Sequence, residues 1–458
     1  MKPWLKPLER VLGTGRVCAS HEVLSAHAGD TWFAAHMPDA VVFADSTSTV
    51  CRTLKFASRH GIPVTPRGAG KGCVGGCVPS SGGIVISTAK MNRILEIHEA
   101  DAVAVVEPGV ITGDLQAAVK AQGLFYPPDP ASLKECFMGG NVATNAGGPR
   151  CLKYGVTRNY ILGLEVVLSS GAIVRTGART IKNKTGWDMT GLFVGSEGLL
   201  GVITKITVRL LPQPPARAVL SAGFKSDEQA AHAIQCLLKS GVGFSALEVA
   251  DAFTLESARK HIGASQIPEG DAHILAEIDG TSAAVRAGLN DARAMLQSLG
   301  AISLATAKTE SSCAELWQLR RTFSAALKAT GLTKLNEDVT VPRGRLVDLF
   351  RLAGKLRKKY GVPVACFGHA GDGNIHTNLM ADMTRPGAKA KMTHALDELF
   401  DQVLAWQGSI TGEHGIGLAK KRWWKKAASP ELRKLHERIK AAIDPMGIMN
   451  PGKFVDLP

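Results

Sequence analysis

The stretch Pro66–Gly76, PRGAGKGCVGG, contains the pattern G-x-G-x-x-G between Gly70 and Gly75. In a Rossmann-type dinucleotide site, this pattern forms the turn between a strand and a helix, and the N-terminus of that helix binds the pyrophosphate. Here the residues after Gly76 read CVPSSGG, which cannot begin a helix. The stretch therefore predicts a glycine-rich loop between two strands, whose successive backbone N–H groups form a nest for a phosphate anion.

Short runs rich in β-branched residues dominate the rest of the first half and predict strands. The runs lie at 82–88, 102–110, 162–177 and 200–212. One helix is predicted over 112–123, with Thr112 as its N-cap. The first half is thus expected to be a strand-rich domain that carries the glycine-rich loop.

The proline-rich stretch at 211–216, LPQPPA, predicts a domain boundary. Beyond it, the patterns predict the order β-α-β-β-α-β, which is the split βαβ arrangement, and then three further helices. Those helices are expected at 311–331, 345–360 and 388–406. The sequence therefore predicts an α+β protein with one domain over 1–215, a second over 216–407 and a C-terminal segment over 408–458.

Composition narrows the classes of function. The net charge of +14 favours an acidic partner protein or an anionic membrane surface. No nucleic-acid module is visible, so we expect no nucleic-acid binding. The nine cysteines are scattered without a C-x-x-C pair, which predicts no iron–sulfur cluster. The N-terminus has no signal-peptide pattern and no apolar run spans a membrane, so we expect a cytoplasmic protein, or one peripheral to the inner membrane.

Two motifs in the second half predict a metal site. In FGHAGDGNIH, His369 and His376 flank a Gly-Asp-Gly-Asn turn signal, so a hairpin would bring the two imidazoles together. The stretch GEHG then adds Glu413 and His414. Two histidines and one glutamate form a ligand set that leaves one metal position open, and such ligands suit zinc best. The alternative is a set of hydrogen-bonded core histidines.

A third stretch, ELWQLRRTFSAAL at 315–327, places Arg320 and Arg321 on a predicted helix. A guanidinium in a closed site can bind an anionic substrate through two parallel hydrogen bonds. The alternative for either arginine is a surface ion pair, for example with Glu315.

Together, the motifs resemble a known family. The stretches PRGAGKGCVGG, VVEPGV, YPPDP, GGNVATNAGG and LFVGSEGLLGVITKITVRLLP come in the order and spacing of the vanillyl-alcohol-oxidase-type FAD-binding domain. The stretches FGHAGDGNIHTNLM, TGEHGIGLAKKR and DPMGIMNPGKF extend the resemblance to the group of the glycolate oxidase flavin subunit, D-lactate dehydrogenase and D-2-hydroxyglutarate dehydrogenase. The resemblance covers nearly the whole chain.

The resemblance implies FAD as cofactor, a ferredoxin-like-derived substrate (cap) domain and a C-terminal segment that returns to the FAD domain. Because the first loop has no histidine for covalent attachment, it implies noncovalent FAD. The implied FAD-binding residues are Arg67, Gly68, Ala69, Gly70, Lys71, Gly72, Gly75, Gly76, Pro128, Asp129, Gly140, Asn141, Thr144, Asn145, Gly147, Gly148, Glu197, Gly198, Gly201, Ile203 and Asn450.

The resemblance also implies roles in the chemical step. Metal-binding relatives match His369, His376 and Glu413 as ligands and His414 as the base, and they match Arg320 and Asn378 in substrate contacts. The implied reaction is the oxidation of a D-2-hydroxy acid, such as D-lactate or glycolate, to the 2-oxo acid.

Two positions near the arginine differ from the relatives that act on 2-hydroxyglutarate. Ser324 stands where those enzymes have threonine, and Asn336 where they have lysine. The loss of that positive charge favours a substrate with one carboxylate.

Electrons must leave the chain through an external acceptor, because no cluster is expected in it. An iron–sulfur subunit, an electron-transfer flavoprotein, a cytochrome or a quinone would each serve, and a homodimer is compatible with the sequence. Two alternatives stay open. One is a flavin oxidase for another class of alcohol. The other is a subunit of a multi-subunit glycolate oxidase.

Overall fold

In a computed structural model, which describes residues 2–455, the chain divides into two compact units. The first unit runs from the N-terminus to Gly147, continues over Val156–Gln213 and resumes at Glu413. The second unit comprises Gly148–Gly155 and Pro214–Gly412. Among the described residues, no helix combines the length and apolar character needed to cross a bilayer.

Helices and strands alternate along most of the chain. The α-helices are α1 (Leu5–Leu12), α2 (His21–Ala26), α3 (Thr47–His60), α4 (Thr112–Lys120), α5 (Met138–Thr144), α6 (Cys151–Tyr154), α7 (Met189–Phe193), α8 (Asp227–Lys239), α9 (Ala252–Ile262), α10 (Ser282–Ser298), α11 (Glu310–Ala329), α12 (Leu346–Tyr360), α13 (Ala388–Ala405), α14 (Lys421–Ala427) and α15 (Pro430–Ile443). The strands are β1 (Val17–Cys18), β2 (Ala40–Phe43), β3 (Val64–Arg67), β4 (Ile84–Ser87), β5 (Ile94–His98), β6 (Val103–Val106), β7 (Leu124–Phe125), β8 (Ile161–Val167), β9 (Ile173–Gly177), β10 (Val202–Arg209), β11 (Leu211–Pro212), β12 (Ala216–Phe224), β13 (Phe244–Ala250), β14 (Ala272–Gly280), β15 (Ser303–Ala307), β16 (Thr333–Thr340), β17 (Val364–His369) and β18 (Asn374–Ala381). Short 3₁₀ turns lie at Thr157–Tyr160, Ala264–Gln266 and Arg343–Arg345.

The first unit contains a four-stranded sheet in the order β1-β2-β4-β3 and a five-stranded antiparallel sheet in the order β5-β6-β10-β8-β9. Strands β3 and β4 pair in parallel. The glycine-rich stretch leaves β3 and reaches β4 without forming a helix. The prediction of a loop between strands, instead of a Rossmann turn, is therefore confirmed.

The second unit is built on one seven-stranded antiparallel sheet in the order β15-β12-β14-β13-β17-β18-β16. Its first four strands show the ferredoxin-like order expected of a split βαβ unit. The predicted order β-α-β-β-α-β needs one correction, because helix α9 lies between β13 and β14 where a direct connection was expected. Leu255 of α9 packs with Phe323 of α11 and Phe367 of β17 in one buried cluster, and this packing accounts for the extra helix.

The unit bounds differ from the predicted domain bounds at three places, the smallest of which is the start of the second unit at Pro214 instead of 216. Residues 148–155 group with the second unit, because Arg150 binds Glu277 of β14 at 2.7 Å and Lys153 binds Asp279 at 2.5 Å. The return to the first unit begins at Glu413 instead of 408. Residues 408–412 stay with the second unit because Ser409 bridges to Thr340 of β16.

One predicted helix start also needs correction. Helix α4 begins at Thr112, so Ile111 occupies the N-cap position. At the start of α8, the Ser226 side chain accepts the Gln229 backbone N–H, as a capping box requires. The reciprocal half is missing because the Gln229 side chain donates to the carbonyl of Leu299.

A buried ion pair organises the end of the first unit. Lys440 of α15 donates to the carboxylate of Asp444 at 2.6 Å, and both side chains are almost fully buried. Asp444 in turn accepts the backbone N–H of Met449 at 2.8 Å. The following residue, Asn450, donates its backbone N–H to Val64 of β3 at 2.7 Å. The ion pair therefore fixes the segment that lies beside the strand leading into the glycine-rich loop.

We predict that Lys440→Met lowers the free energy of unfolding by about 3–5 kcal/mol, because it leaves the buried carboxylate of Asp444 without its cation. Urea denaturation followed by circular dichroism measures the change. The matched control is Lys434→Met, which removes an exposed lysine from the same helix. Equal denaturation midpoints for the two variants would show that the pair does not stabilise the unit.

Candidate active site

In the second unit, one face of the sheet collects the predicted chemical residues. Directly paired residues of antiparallel strands carry their side chains on the same face. Three neighbouring rows therefore share one face: Glu248, His369, Asn374 and Thr340; Ala250, Phe367, His376 and Asp338; Ala365, Asn378 and Asn336. Helix α11 packs on this face, with the rings of Phe323 and Phe367 at 5.9 Å. The hairpin predicted from the Gly-Asp-Gly-Asn turn is the connection between β17 and β18.

The two histidines lie side by side on that face. The centroids of the His369 and His376 rings are 5.6 Å apart, and each ring offers a nitrogen within 4.8 Å of the other's. Both side chains are buried. Paired imidazole nitrogens of this kind are the usual donor set for a divalent transition metal.

Glu248 joins His369 to Arg320. Its Oε1 lies 2.7 Å from Nδ1 of His369, and its Oε2 accepts Nε–H of Arg320 at 2.5 Å. Burial disfavours the charged carboxylate, but electrostatic attraction to His369 and Arg320 and the hydrogen bonds from both outweigh it and lower the pKa of Glu248 to about 2. Because an ionised carboxylate only accepts hydrogen bonds, Nδ1 of His369 carries the proton and Nε2 keeps its lone pair.

Arg320 points into the second unit instead of forming the surface ion pair that was the alternative. Its side chain is 13% exposed, and its guanidinium carbon lies 4.8 Å from the centroid of the Phe367 ring. Arg321, one residue on, is exposed. Of the two arginines, Arg320 therefore shares the sheet face with the histidines.

Two asparagines complete the polar part of the face. Asn378 donates its side-chain amide to the carbonyls of His376 and Ala365, at 2.9 and 3.1 Å. Within the described part of the chain, its Oδ1 and the Oδ1 of the directly paired Asn336 are buried without a hydrogen-bond partner. Buried acceptors without a partner are costly, so such atoms are suited to binding a polar ligand.

Asp338 holds the chain just before Glu413. It pairs with His376 across the sheet, and its carboxylate accepts the backbone N–H of Gly412 at 2.8 Å. A Cβ at Gly412 would collide with the side chains of Asn374 and Thr340, so only glycine lets the chain approach this closely. The backbone just before Glu413 is therefore fixed against β16, the strand that carries Asp338.

In the first unit, the glycine-rich loop lines a cavity of about 290 Å³. Most of the predicted FAD-binding residues lie in its wall: Arg67, Gly68, Ala69, Gly70, Lys71, Gly72, Gly76, Gly140, Asn141, Thr144, Gly147, Glu197, Gly198, Gly201 and Ile203. Glu413 and His414 line the same cavity, and their side chains are 13% and 14% exposed.

Two glycines in the cavity wall leave space where a side chain would stand. A Cβ at Gly76 or Gly140 would meet no atom within 4 Å, so neither glycine is required by protein packing. Neither has a positive φ. The side chains missing at these two positions leave space on the cavity side, as close approach of a backbone to a phosphate requires.

Six predicted FAD-binding residues lie outside the lining: Gly75, Pro128, Asp129, Asn145, Gly148 and Asn450. Gly148 belongs to the second unit. Asn450 holds the backbone of two lining residues, because its side-chain amide donates to the carbonyls of Gly76 and Glu197 at 2.9 and 2.8 Å. Asn145 caps a neighbouring turn by accepting the backbone N–H of Arg158.

Asp30 braces the loop and was missed by sequence reasoning. Its carboxylate accepts the backbone N–H groups of Gly75 and Trp32, both at 2.9 Å. Burial raises the pKa of Asp30 above its ordinary value. The contact spans 45 residues of sequence, so nothing local to Asp30 signals it.

Glu197 ties the C-terminal segment to the cavity wall. Its two carboxylate oxygens accept the backbone N–H groups of Ile416 and Gly417, at 2.7 and 2.8 Å. Burial raises the pKa of Glu197, although these two hydrogen bonds oppose the rise. The bonds explain how GEHG at 412–415 comes to lie beside a glutamate more than 200 residues earlier.

Comparison with known proteins shows which family the chain belongs to. Residues 213–454 match the family model described as FAD linked oxidases, C-terminal domain, and residues 38–177 match the FAD binding domain. The glycolate oxidase subunit GlcD of Bacillus subtilis (strain 168) is 39% identical over 418 residues, which cover 91% of this chain and 89% of the relative. The D-lactate dehydrogenase of Anaerostipes hadrus is 34% identical over 425 residues, with coverage of 91% and 89%.

A solved structure shows the same fold. The crystal structure of p-cresol methylhydroxylase with substrate bound matches with a TM-score of 0.79 at 18% identity, covering 99% of this chain and 96% of that one. A likeness at this identity shows the fold alone. Since one family model covers more than half of the chain, and relatives above 30% identity cover nine tenths of it, the chain belongs to the FAD-linked oxidases, oxidoreductases of the vanillyl-alcohol-oxidase-type fold that use FAD.

Proposed function

We propose that this chain oxidises a D-2-hydroxy acid of the D-lactate or glycolate type to the 2-oxo acid, with noncovalently bound FAD. The observation that carries the proposal is the shared sheet face, where the imidazoles of His369 and His376 lie beside the inward-pointing Arg320. A phenol or simple alcohol has no carboxylate to match that guanidinium. The names of the two relatives, a glycolate oxidase subunit and a D-lactate dehydrogenase, support the same substrate class.

A divalent metal, zinc by preference, would be held by His369, His376 and Glu413. The donor set fits, since it combines two imidazole nitrogens with a carboxylate and leaves a coordination position open. Nδ1 of His369 is bonded to Glu248, so the metal would bind at Nε2. Glu413 follows Gly412, whose backbone is bonded to the cross-strand partner of His376.

Arg320 and Asn378 would bind the substrate. The Nε of Arg320 is used by Glu248, so its two terminal nitrogens form the fork that matches a carboxylate. The buried Oδ1 of Asn378 can accept a hydrogen bond from the substrate hydroxyl. These contacts would orient the α-carbon and its hydrogen.

His414 would act as the base that removes the hydroxyl proton. It lines the cavity of the first unit next to Glu413. When bound, FAD supplies an acceptor for the α-hydrogen with its electron pair, and the dication supplies a charge that lowers the pKa of the hydroxyl. His414 holds the released proton until it passes to water, and the product leaves as the 2-oxo acid.

The number of carboxylates that the substrate can carry depends on the charges near Asn336, in the row of the sheet face that is farthest from Glu248. Asn336 brings no charge, which favours a substrate with one carboxylate. Two residues earlier on the same face, Lys334 donates to the hydroxyl of Ser324 at 2.9 Å. A cation is thus held near Asn336, so D-2-hydroxyglutarate belongs in the set of substrates to be tested.

The electron acceptor would be a separate protein or a quinone. The relative from Bacillus subtilis is named as a subunit, and this favours a second candidate, in which the chain is the flavin subunit of a multi-subunit glycolate oxidase. Isolated chain that reduces its flavin with glycolate but passes electrons only to an artificial dye would support this candidate.

A dye-reduction assay of the purified chain tests the proposed function. The panel should contain glycolate, both enantiomers of lactate and of 2-hydroxyglutarate, and 4-ethylphenol as a substrate of another class. We expect dye reduction with glycolate or a D-2-hydroxy acid and none with L-lactate or the phenol. Turnover of the phenol alone would overturn the proposal.

We predict that the purified chain contains one divalent metal and that His376→Ala loses it while keeping FAD. One of the two imidazole donors is removed, whereas the glycine-lined cavity is in the other unit. Elemental analysis and the flavin absorbance measure the two contents. The control is His394→Ala, which removes an exposed histidine of α13 and should keep both. Full metal content in His376→Ala would rule out the ligand set.

We also predict that His414→Ala keeps FAD and metal but reduces its flavin about 10²–10⁴ times more slowly, which is the usual contribution of a positioned base. Anaerobic stopped-flow absorbance with the best substrate gives the rate. His436→Ala, a half-buried histidine of α15, serves as the control and should be reduced at the wild-type rate. If His414→Ala is reduced as fast as the control, another residue is the base.

A further inference from the structure

Glu248 lies at the centre of the sheet face, and the proposed reaction does not use it directly. Its side chain is 1% exposed and contacts both His369, a proposed metal ligand, and Arg320, the proposed substrate-binding arginine. A carboxylate buried this deeply must be fully paired to be tolerated. Its two partners are reached across 121 and 72 residues of sequence, so the arrangement is a property of the folded unit.

The first contact controls the metal-binding atom of His369. A carboxylate that accepts Nδ1–H selects the tautomer in which Nε2 carries the lone pair that can bind a metal, and it also fixes the plane of the ring. The pairing of Glu248 with His369 across β13 and β17 holds the two side chains in register. Without this acceptor, the ring could rotate or present a protonated nitrogen.

The second contact controls the guanidinium of Arg320. The bond at Nε and the stacking on Phe367, at 4.8 Å from the ring centroid, fix the guanidinium plane. A guanidinium held in one plane loses less freedom when it binds a carboxylate. The terminal nitrogens are then presented in one orientation.

We infer that Glu248 is a positioning residue that couples the metal ligand His369 to the substrate-binding Arg320, so that one carboxylate sets the geometry of both. The inference rests on the proposed function. It assigns Glu248 no contact with the reacting atoms. Its effect is transmitted through two neighbours, and therefore both metal affinity and substrate affinity depend on it.

A second buried glutamate provides a matched control. Glu277 of β14 pairs with Ala246, two residues before Glu248, and therefore lies on the same sheet face. It too is 1% exposed and accepts a hydrogen bond from helix α11, through the indole N–H of Trp317 at 2.8 Å. Its arginine partners are Arg150 and Arg217, and neither has a proposed part in the site. Loss of charge at Glu277 therefore imposes a comparable structural burden without touching His369 or Arg320.

The test compares Glu248→Gln with Glu277→Gln. Glutamine has only one side-chain oxygen. If that oxygen accepts from His369 or from Arg320, the NH₂ group faces the other donor and cannot accept its hydrogen. We expect Glu248→Gln to bind Zn²⁺ about 10–100-fold more weakly, measured by competition with a chromophoric chelator. We expect its KM for the best 2-hydroxy acid, at saturating metal, to rise about tenfold with a smaller change in kcat. Glu277→Gln should keep the wild-type metal affinity and KM.

Two further variants separate positioning from a loss of folding. Glu248→Asp keeps the charge and should recover part of both affinities. In the pair Glu248→Gln and Arg320→Met, the effects on KM should not add, because the first acts through the second. Glu248→Gln with wild-type metal affinity and wild-type KM would overturn the inference, as would equal losses in Glu277→Gln. A wild-type chain that binds no metal and oxidises no 2-hydroxy acid would overturn the proposed function, and the inference with it.

Discussion

The charged carboxylate of Glu248, buried between an imidazole and a guanidinium, is the interaction on which the site of the second unit depends. A buried charge is stable only when both oxygens have strong donors. Strand β17 must therefore pair with β13 in the observed register, and helix α11 must present Arg320 to the sheet. The position of His376 on β18 follows, because His376 pairs directly with Phe367 of β17. One electrostatic requirement thus orders three elements that are distant in sequence.

In the first unit, the cavity wall includes the glycine-rich loop. A loop of glycines has no side chains of its own to hold it, so polar side chains from elsewhere fix its main chain. Asp30 accepts the N–H of Gly75, and Asn450 donates to the carbonyl of Gly76. The ion pair of Lys440 and Asp444 orders the segment that carries Asn450. The cavity therefore depends on residues that do not line it.

Much of this was predictable from sequence, because the signals were local. The H-x₆-H hairpin, the glycine-rich loop and the helices α10 to α13 follow from turn residues and periodicity over a few positions. Glu248 and Asp30 were not predictable in the same way. Glu248 stands in an ordinary strand pattern, FSALEVA, and its importance arises from partners 72 and 121 residues away. Residues 148–155 group with the second unit through ion pairs with distant residues, and no local sequence pattern predicts these pairs.

In the proposed reaction, the α-hydrogen of a D-2-hydroxy acid passes with its electron pair to FAD. Its most direct test is a single anaerobic turnover of the purified holoenzyme with the best substrate and with the same substrate deuterated at the α-carbon. We expect one 2-oxo acid to form for each flavin reduced, and we expect the deuterated substrate to reduce the flavin more slowly. Flavin that stays oxidised with every D-2-hydroxy acid and with glycolate, yet is reduced by 4-ethylphenol, would contradict the proposed reaction.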